Sequence, residues 1–548
     1  MELSPAARLL LERRYLLPGE TPDALFARVA GAVGGPERSR EFFSLLSRLL
    51  FLPNSPTLMN AGTPAGQLSA CFVLPIEDTL EGIFTSLAHM ALVHRSGGGT
   101  GFSFSRLRPR GDAVNGVVGA ASGPVSFMRV FDAATGAVRQ GGRRRGANMG
   151  VLAASHPDIE EFVTAKRAGG LRNFNLSVGV DERFLRCLAT GKDYDLTNPR
   201  DGSVSRSIDP ASLWRLIAAS AHASGEPGVL FLDEIDRQST TPHLGPIEAT
   251  NPCGEQPLYP YESCNLGSVN LARCIKNHDI DEDLLATVVR CGIDFLDAVI
   301  DANRFPLPVI REKTLATRKI GLGVMGFAET LIRLGIPYES DEALRFAGKL
   351  MEGIEALARE RSEELGAVKG SFPAIEGSVY TNDMRNATVT TIAPTGSLHL
   401  IAGTTSGIEP VFSFAYSRVI DGQQVAIVSD LVRELLPATA GGMDVAEHVR
   451  RHGTVEGLPL ADHTRDLFRT AVDIAPEHHV RMQAAFQRHV DNAVSKTVNL
   501  KETATAGEIA RIFSLARDLG CKGITVYRYR SRPDQVLSRG CDVCIVDD

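Results

Sequence analysis

No stretch of the 548-residue sequence approaches the ~18 consecutive apolar residues that a membrane-spanning helix requires. The first twenty residues lack the apolar core of a cleavable leader and scatter Arg8, Arg13 and Arg14 among leucines, so the chain reads as cytoplasmic. A basic surplus is also missing. Lys and Arg number 58 against 65 Asp and Glu, a net charge of −7 that excludes a general duplex-DNA binder but not a small anionic ligand. Nine cysteines, an odd number, are too sparse for a disulfide scaffold, which leaves catalysis, metal binding or simple burial. No internal repeat is present. With 43% hydrophobic and 22% charged residues, disorder, collagen-like repeats and a coiled-coil rod are excluded as the main architecture.

What is present is a mixture of helical and strand periods. Residues 1–50 read as short helices interrupted by Gly34-Gly35-Pro36. Residues 77–95 also read as helix, and so do 281–302 and 341–366, the last stopped by Gly366. Asn173 to Val180 alternates with period two, and 388–392 and 523–527 are short β-branched runs. Strands alternating with long helices predict an α/β fold with buried parallel strands. Ser531 to Asp548 reads as a flexible tail.

Five segments could carry chemistry. Asn251-Pro252-Cys253-Gly254-Glu255, followed by Cys264-Asn265-Leu266-Gly267-Ser268, puts a thiol, a carboxamide and a carboxylate on one tight loop, because Pro and Gly around a cysteine make a turn. Ser69-Ala70-Cys71-Phe72-Val73 on its own is a cysteine in an apolar strand, and only a tertiary fold could bring it to Cys264. The terminal Cys541-x-x-Cys544 suits a mobile redox dithiol, half of a zinc site, or tail thiols without a role. Ala393-Pro394-Thr395-Gly396-Ser397, between a strand and an apolar run, can cradle a phosphate or merely cap a helix; it lacks the Lys of a Walker loop. Ser55-Pro56-Thr57 is a weaker version of the same. Finally, Ser96 to Gly101, Arg106, Arg108, Arg110 and Gln140 to Gly146 concentrate glycine and arginine, a nucleotide-binding composition within an acidic chain or a set of solvated loops.

Ser-Ala-Cys-Phe-Val, Asn-Pro-Cys-Gly-Glu, Cys-Asn-Leu-Gly-Ser, Ala-Pro-Thr-Gly-Ser and the terminal Cys-x-x-Cys stand in the order found in the catalytic chain of ribonucleotide reductases, and the sequence resembles the adenosylcobalamin-dependent class II type from about Phe51 to Tyr529, with a matching cysteine tail. The resemblance implies a ten-stranded α/β barrel of the ribonucleotide reductase and glycyl-radical type, with the catalytic cysteine on a central loop. The division it suggests is a helical segment over 1–50 without a full ATP-binding cone, a barrel over 51–530, and a redox tail over 531–548. It implies that Cys253 forms a thiyl radical, Glu255 is the base, Asn251 positions the sugar, and Cys71 and Cys264 reduce C2′ and become a disulfide that Cys541 and Cys544 re-reduce. Ser55, Thr57, Ser69, Ala70, Gly99, Pro394, Thr395, Gly396 and Ser397 would contact substrate; Asp78, Arg108 and Arg143, with Gly142, would answer a deoxynucleotide effector. Thioredoxin or glutaredoxin would recharge the tail, and the chain would be a monomer or homodimer. Diphosphate substrates are the expectation. No cobalamin-ligating His motif is visible. Arg528 separates Tyr527 from Tyr529, unlike the adjacent tyrosines of iron-dependent class I relatives. A class I large subunit served by a separate metal-radical protein, and a non-catalytic nucleotide-binding regulator, are the competing readings.

Overall fold

The computed structural model describes residues 3–114, 116–140, 144–167, 169–420, 423–531 and 538–539. The strands that matter for the site are β1 (Phe51–Pro53), β2 (Cys71–Val73), β3 (Gly99–Ser103), β4 (Asn148–Ala153), β5 (Phe174–Val180), β6 (Gly228–Phe231), β7 (Ala249–Thr250), β8 (Pro257–Leu258), β9 (Ser263–Asn270), β10 (Ile320–Met325), β11 (Thr497–Leu500) and β12 (Gly523–Arg528). Strands β7 and β8 form a hairpin of their own. The other ten form one sheet in the order β1-β9-β2-β3-β4-β5-β6-β12-β11, with β10 on the free edge of β9.

That sheet consists of two parallel halves joined back to front. Strands β2 to β6 run parallel to one another. So do β9 with β10 and β11 with β12. The halves meet antiparallel at β9/β2 and at β6/β12. The β-branched run 388–392 closes the ring. It bridges β10 in parallel through Leu322 and Thr390, and the approach to β11 through Ile392 and Val494. Backbone bonds from Leu322 N to Val389 O (2.7 Å) and from Ser495 N to Ile392 O (2.9 Å) tie it in on both sides. The ring is therefore β9, β2, β3, β4, β5, β6, β12, β11, the 388–392 segment and β10, an α/β barrel of ten staves.

Alternation along the staves sorts side chains to two sides. Met149 and Val151 of β4 join Cys71, Val73, Leu230, Leu258, Tyr259, Cys264 and Leu266 in a small interior cluster. Leu152 of the same strand faces an outer apolar layer with Phe102, Phe131 and Trp214. A second outer layer joins helices α1 (Pro5–Arg14), α2 (Pro22–Ser47), α3 (Glu282–Ala302) and α4 (Asp341–Lys369) to Phe51, Leu322 and Val324. Within α2, Gly35 takes φ 56° and ψ −160°, so Gly34-Gly35-Pro36 kinks the helix and the chain resumes it.

The expected stop at Gly366 is a correction. Helix α4 runs on to Lys369 and ends at Gly370, whose φ of +87° favours glycine. Gly366 is there for packing: a Cβ on it would lie 2.8 Å from the backbone N of Met384. Gly366→Ala should therefore lower stability by about 1–3 kcal/mol despite the better helix former, because a backbone atom cannot rotate away. Urea unfolding would show this as a lower midpoint; a raised midpoint would mean that the contact is not limiting.

Candidate active site

The β7–β8 hairpin stands inside the ring and carries Asn251 to Gln256 at its turn. Two glycines of β3 make room for it. A Cβ on Gly101 would sit 1.8 Å from the carbonyl oxygen of Thr250, and one on Gly99 would sit 3.0 Å from Cγ of Pro252. Gly254, at φ +83°, lets the tip reverse, and its N–H donates to Asn251 O at 3.1 Å. Asn251 holds the turn from within: its Oδ1 accepts from Gln256 N at 3.0 Å, and its N–H donates to Gln256 O at 3.2 Å. The far wall anchors it as well. Asn175 Nδ2 donates to Pro252 O at 2.7 Å, while Ala493 N and Thr391 Oγ1 donate to Glu255 O at 2.9 and 3.1 Å.

The result is a rigid loop with an exposed thiol, Cys253, between buried Asn251 and buried Glu255. Cys71 and Cys264, remote in sequence, are cross-strand partners in the β2–β9 register. Such partners have Cα atoms about 4.5–5.5 Å apart, within the span a disulfide needs. Both are thiols here and both are buried. Asn251 links the two elements, since its Nδ2 donates to Cys71 Sγ at 3.1 Å. Burial drives the Cys71 thiol well above the ordinary range, and the charges of Glu255, Cys264 and Cys253 push the same way. Cys264 is also pushed well up by burial, with Lys319 opposing and Glu262 and Glu255 reinforcing. At neutral pH both sulfurs keep their hydrogens.

Cys253 opens on a cavity of about 2850 Å³, whose walls include Asn175, Pro252, Gly254, Pro394, Gly396, His399, Glu409, Lys496, Asn499, Thr525 and Tyr527, with the hairpin Ala415–Ile420/Gln423–Val428 along one side. Ordinary ligand pockets are about 300–1,000 Å³, so this one has room for two sizeable molecules at once.

The other expected site residues distribute as follows. Pro394 and Gly396 are on the cavity wall. Thr395 is buried in the left-handed region at φ +46°, a strained setting for a β-branched residue, and its hydroxyl accepts from Gly407 N at 2.8 Å. Ser397 precedes Leu398–Ala402, a single helical turn too short for much of a dipole. His399 in that turn is held near pKa 4 by burial and is neutral. Ser69, Ala70 and Gly99 surround the cysteine pair: Ala70 N donates to Cys264 O at 3.1 Å, Gly99 N donates to Ala70 O at 2.8 Å, and Ser69 Oγ accepts from Asn303 Nδ2 at 3.0 Å. The hydroxyls of Ser55 and Thr57 are engaged internally, with Tyr15 Oη at 2.8 Å and Leu68 O at 2.9 Å. Asp78 and Arg108 form an ion pair at 2.8 Å. Gly142, Arg143, Cys541 and Cys544 lie outside the described residues.

Two polar clusters escaped the reading of the sequence. On the cavity wall, buried Lys496 donates from Nζ to Glu409 Oε2 (2.7 Å) and His479 Nδ1 (2.9 Å). Beside Cys264, buried Lys319 pairs with Glu262 at 2.8 Å. Neither lysine carries a local signal: Lys496 lies in Val494-Ser495-Lys496-Thr497-Val498, Lys319 follows Arg318, and their partners are remote in sequence.

The family description "Ribonucleotide reductase, barrel domain" matches residues 69–384 and 374–527, and "Ribonucleotide reductase, all-alpha domain" matches 1–66. The chain belongs to the ribonucleotide reductase family. The described ring is thus a ribonucleotide reductase barrel, and the family's all-alpha match takes in α1 and α2. Among curated proteins, the chain is 50% identical over 561 aligned positions to a vitamin B12-dependent ribonucleoside-diphosphate reductase of Mycobacterium tuberculosis, covering 98% of this chain and 81% of that protein. It is 48% identical to one of the same name from Thermoplasma acidophilum, covering 94% of this chain and 68% of that protein. Similarity to the ribonucleoside-diphosphate reductase subunit alpha of Chlamydia pneumoniae is lower, 27% over 90% of this chain and 54% of that one.

Proposed function

We propose that the chain is a vitamin B12-dependent ribonucleoside-diphosphate reductase, which converts ribonucleoside diphosphates to 2′-deoxyribonucleotides for DNA synthesis with adenosylcobalamin as its cofactor. The observation that carries this reading is the hairpin: it presents Cys253 to a large cavity while Asn251, two residues away, is bonded to one member of a facing cysteine pair. The two relatives near 50% identity carry that enzyme name.

The cavity fits the group the reading requires. It has room for a nucleotide beside a large corrinoid, and its lining includes the hydroxyl, amide and ion-paired groups of Glu409, Lys496, Asn499, Thr525 and Tyr527. These residues, with the 415–428 hairpin, would hold the cofactor. When bound, adenosylcobalamin supplies an organic radical through homolysis of its cobalt–carbon bond.

The rest follows from this chain's own groups. Cys253 Sγ loses its hydrogen atom and, as a thiyl, takes the 3′ hydrogen of the ribose; S–H and activated C–H bonds are close in strength, so the transfer reverses at the end. Glu255 accepts the 3′-hydroxyl proton as general base, and Asn251 orients the sugar. The 2′ hydroxyl departs as water with a proton from the cysteine pair. Cys71 and Cys264 then supply two electrons and become a disulfide. Their raised pKa values fit this, because a thiol, not a thiolate, carries a hydrogen to the sugar. Pro394, Thr395, Gly396 and Ser397 hold the diphosphate, with Ser55, Thr57, Ser69, Ala70 and Gly99 shaping the remainder of the substrate site. Asp78, Arg108 and Arg143 receive a deoxynucleotide effector, whose ordering of the connecting loop biases which base is admitted. Residues 1–50 cover a barrel of 51–530, and 531–548 act as the redox tail. The protein works in the cytoplasm as a monomer or homodimer.

The deciding experiment gives the purified chain adenosylcobalamin, dithiothreitol and each of the four ribonucleoside diphosphates. Deoxynucleotides should form without any second protein; turnover only after adding a metal-radical subunit would favour the class I reading. Replacing both Cys541 and Cys544 by serine should spare turnover driven by dithiothreitol and abolish turnover driven by thioredoxin. Equal loss with both reductants would contradict a shuttle.

A further inference from the structure

Negative charge bears on both sulfurs of the pair, but a buried cation bears on Cys264. Lys319 immediately precedes β10, whose first residue Ile320 is in register with Asn265, so Lys319 lies beside Cys264. Its carbonyl accepts from Cys264 Sγ at 3.4 Å. Its ammonium donates to Glu262 Oε2 at 2.8 Å, with both side chains 3% exposed, and lies 4.3 Å from the ring centroid of Tyr259, a member of the interior cluster that holds both cysteines. Glu262 is itself held in place, accepting from Thr317 Oγ1 at 2.7 Å and Tyr259 N at 2.9 Å. Cys71 faces Asn251 and the carboxylate of Glu255 instead. A buried ion pair is weak evidence for stability, since apolar residues of similar size do as well or better. One lodged against a redox sulfur has another use.

We propose that Lys319 is the positioning residue that makes Cys264 the leaving sulfur when the Cys71–Cys264 disulfide is re-reduced, so that the incoming thiolate bonds to Cys71. This rests on the reading of Cys71 and Cys264 as the redox pair. In the step, a thiolate attacks Cys71 Sγ and forms a mixed disulfide, and the Cys71–Cys264 bond breaks with its electron pair on Cys264 Sγ. A second thiolate attacks the sulfur bound to Cys71 and releases Cys71. Both cysteines take up protons, the external dithiol is oxidised to a disulfide, and the protein disulfide is reduced by two electrons. Exchange favours the better-stabilised leaving thiolate. The Lys319 cation supplies that stabilisation at Cys264, against the smaller opposing charges of Glu262 and Glu255, whereas at Cys71 the neighbouring charges all oppose a thiolate and Asn251 offers one hydrogen bond.

The test uses the full chain with Cys541 and Cys544 changed to serine, so that the tail cannot take up the disulfide, oxidised by one turnover without reductant, then treated with 2-mercaptoethanol, acid-quenched, alkylated and mapped by peptide mass. The adduct should be on Cys71, with Cys264 alkylated. Lys319→Met should slow re-reduction by about tenfold and spread the adduct to Cys264, and Lys319→Arg should restore both. The double variant Lys319→Met/Glu262→Gln, which buries no lone charge, should stay slow. An adduct on Cys264 with Lys319 intact, or a double variant as fast as the protein with Lys319 and Glu262 intact, overturns the proposal. If no Cys71–Cys264 disulfide forms after turnover, the redox-pair assignment fails first and takes this inference with it.

Discussion

Cys253→Ser should leave the protein folded, with nucleotide affinity unchanged, and reduce deoxynucleotide formation by at least about 10³-fold, a barrier increase of about 4 kcal/mol. The structure makes the variant a clean one. Cys253 is exposed at the tip of its hairpin, so an oxygen in place of sulfur creates neither a void nor a clash. The hairpin keeps its shape because the bonds that fix it come from Asn251, Gln256, Asn175, Thr391 and Ala493. What changes is the bond to hydrogen. An O–H bond is far stronger than S–H, so the serine hydrogen stays on oxygen and the cycle never starts. Product assay, nucleotide titration and circular dichroism together read the outcome. A fully active serine variant would show that the chemistry begins elsewhere.

Gly101→Ala should lower kcat by about 100-fold with only about 1–3 kcal/mol lost in stability. Here the damage is positional. The added Cβ would lie 1.8 Å from Thr250 O and 3.4 Å from Asn251 N. Both are backbone atoms of the segment that leads into the loop, so relief requires moving the hairpin rather than rotating a side chain. A shift of about 1 Å at a reacting group can cost two orders of magnitude in rate. The outer apolar layers that stabilise the barrel are on the other side of the sheet and should hold. Gly348→Ala, in an open position of α4 with nothing within 4 Å, is the control: it should be fully active and slightly more stable. Full activity in Gly101→Ala would mean that the hairpin does not need its observed seat.

Much of the architecture could be read from local pattern. The helices at 80–95 and 282–302 and the strand at 174–180 fall where hydrophobic period placed them, because each buries a continuous face against a neighbour. The β-branched run 388–392 is legible as extended chain, but its role as the closing stave depends on β10 and residues 493–495, which its own composition does not name. Gly366 shows the limit of punctuation: the same residue that ends helices elsewhere here lets Met384 approach.

At the site, Asn251, Cys253 and Glu255 are close in sequence, and Pro252 and Gly254 announce the turn that joins them. The pairing of Cys71 with Cys264 was open until the β2–β9 register set them opposite each other. The Lys319–Glu262 pair was invisible for a similar reason: each residue in isolation is an ordinary charge, and only the fold removes both from water.

The most direct test is a single turnover of pre-reduced protein carrying Cys541→Ser and Cys544→Ser, so that the tail cannot take up the disulfide, with adenosylcobalamin and one ribonucleoside diphosphate, no external reductant, and the thiols mapped after quenching. One deoxynucleotide per pair oxidised, a disulfide joining Cys71 to Cys264, and Cys253 recovered as an alkylatable thiol are the expected result. Product formed while Cys71 and Cys264 both remain reduced would contradict their assignment as the reducing pair.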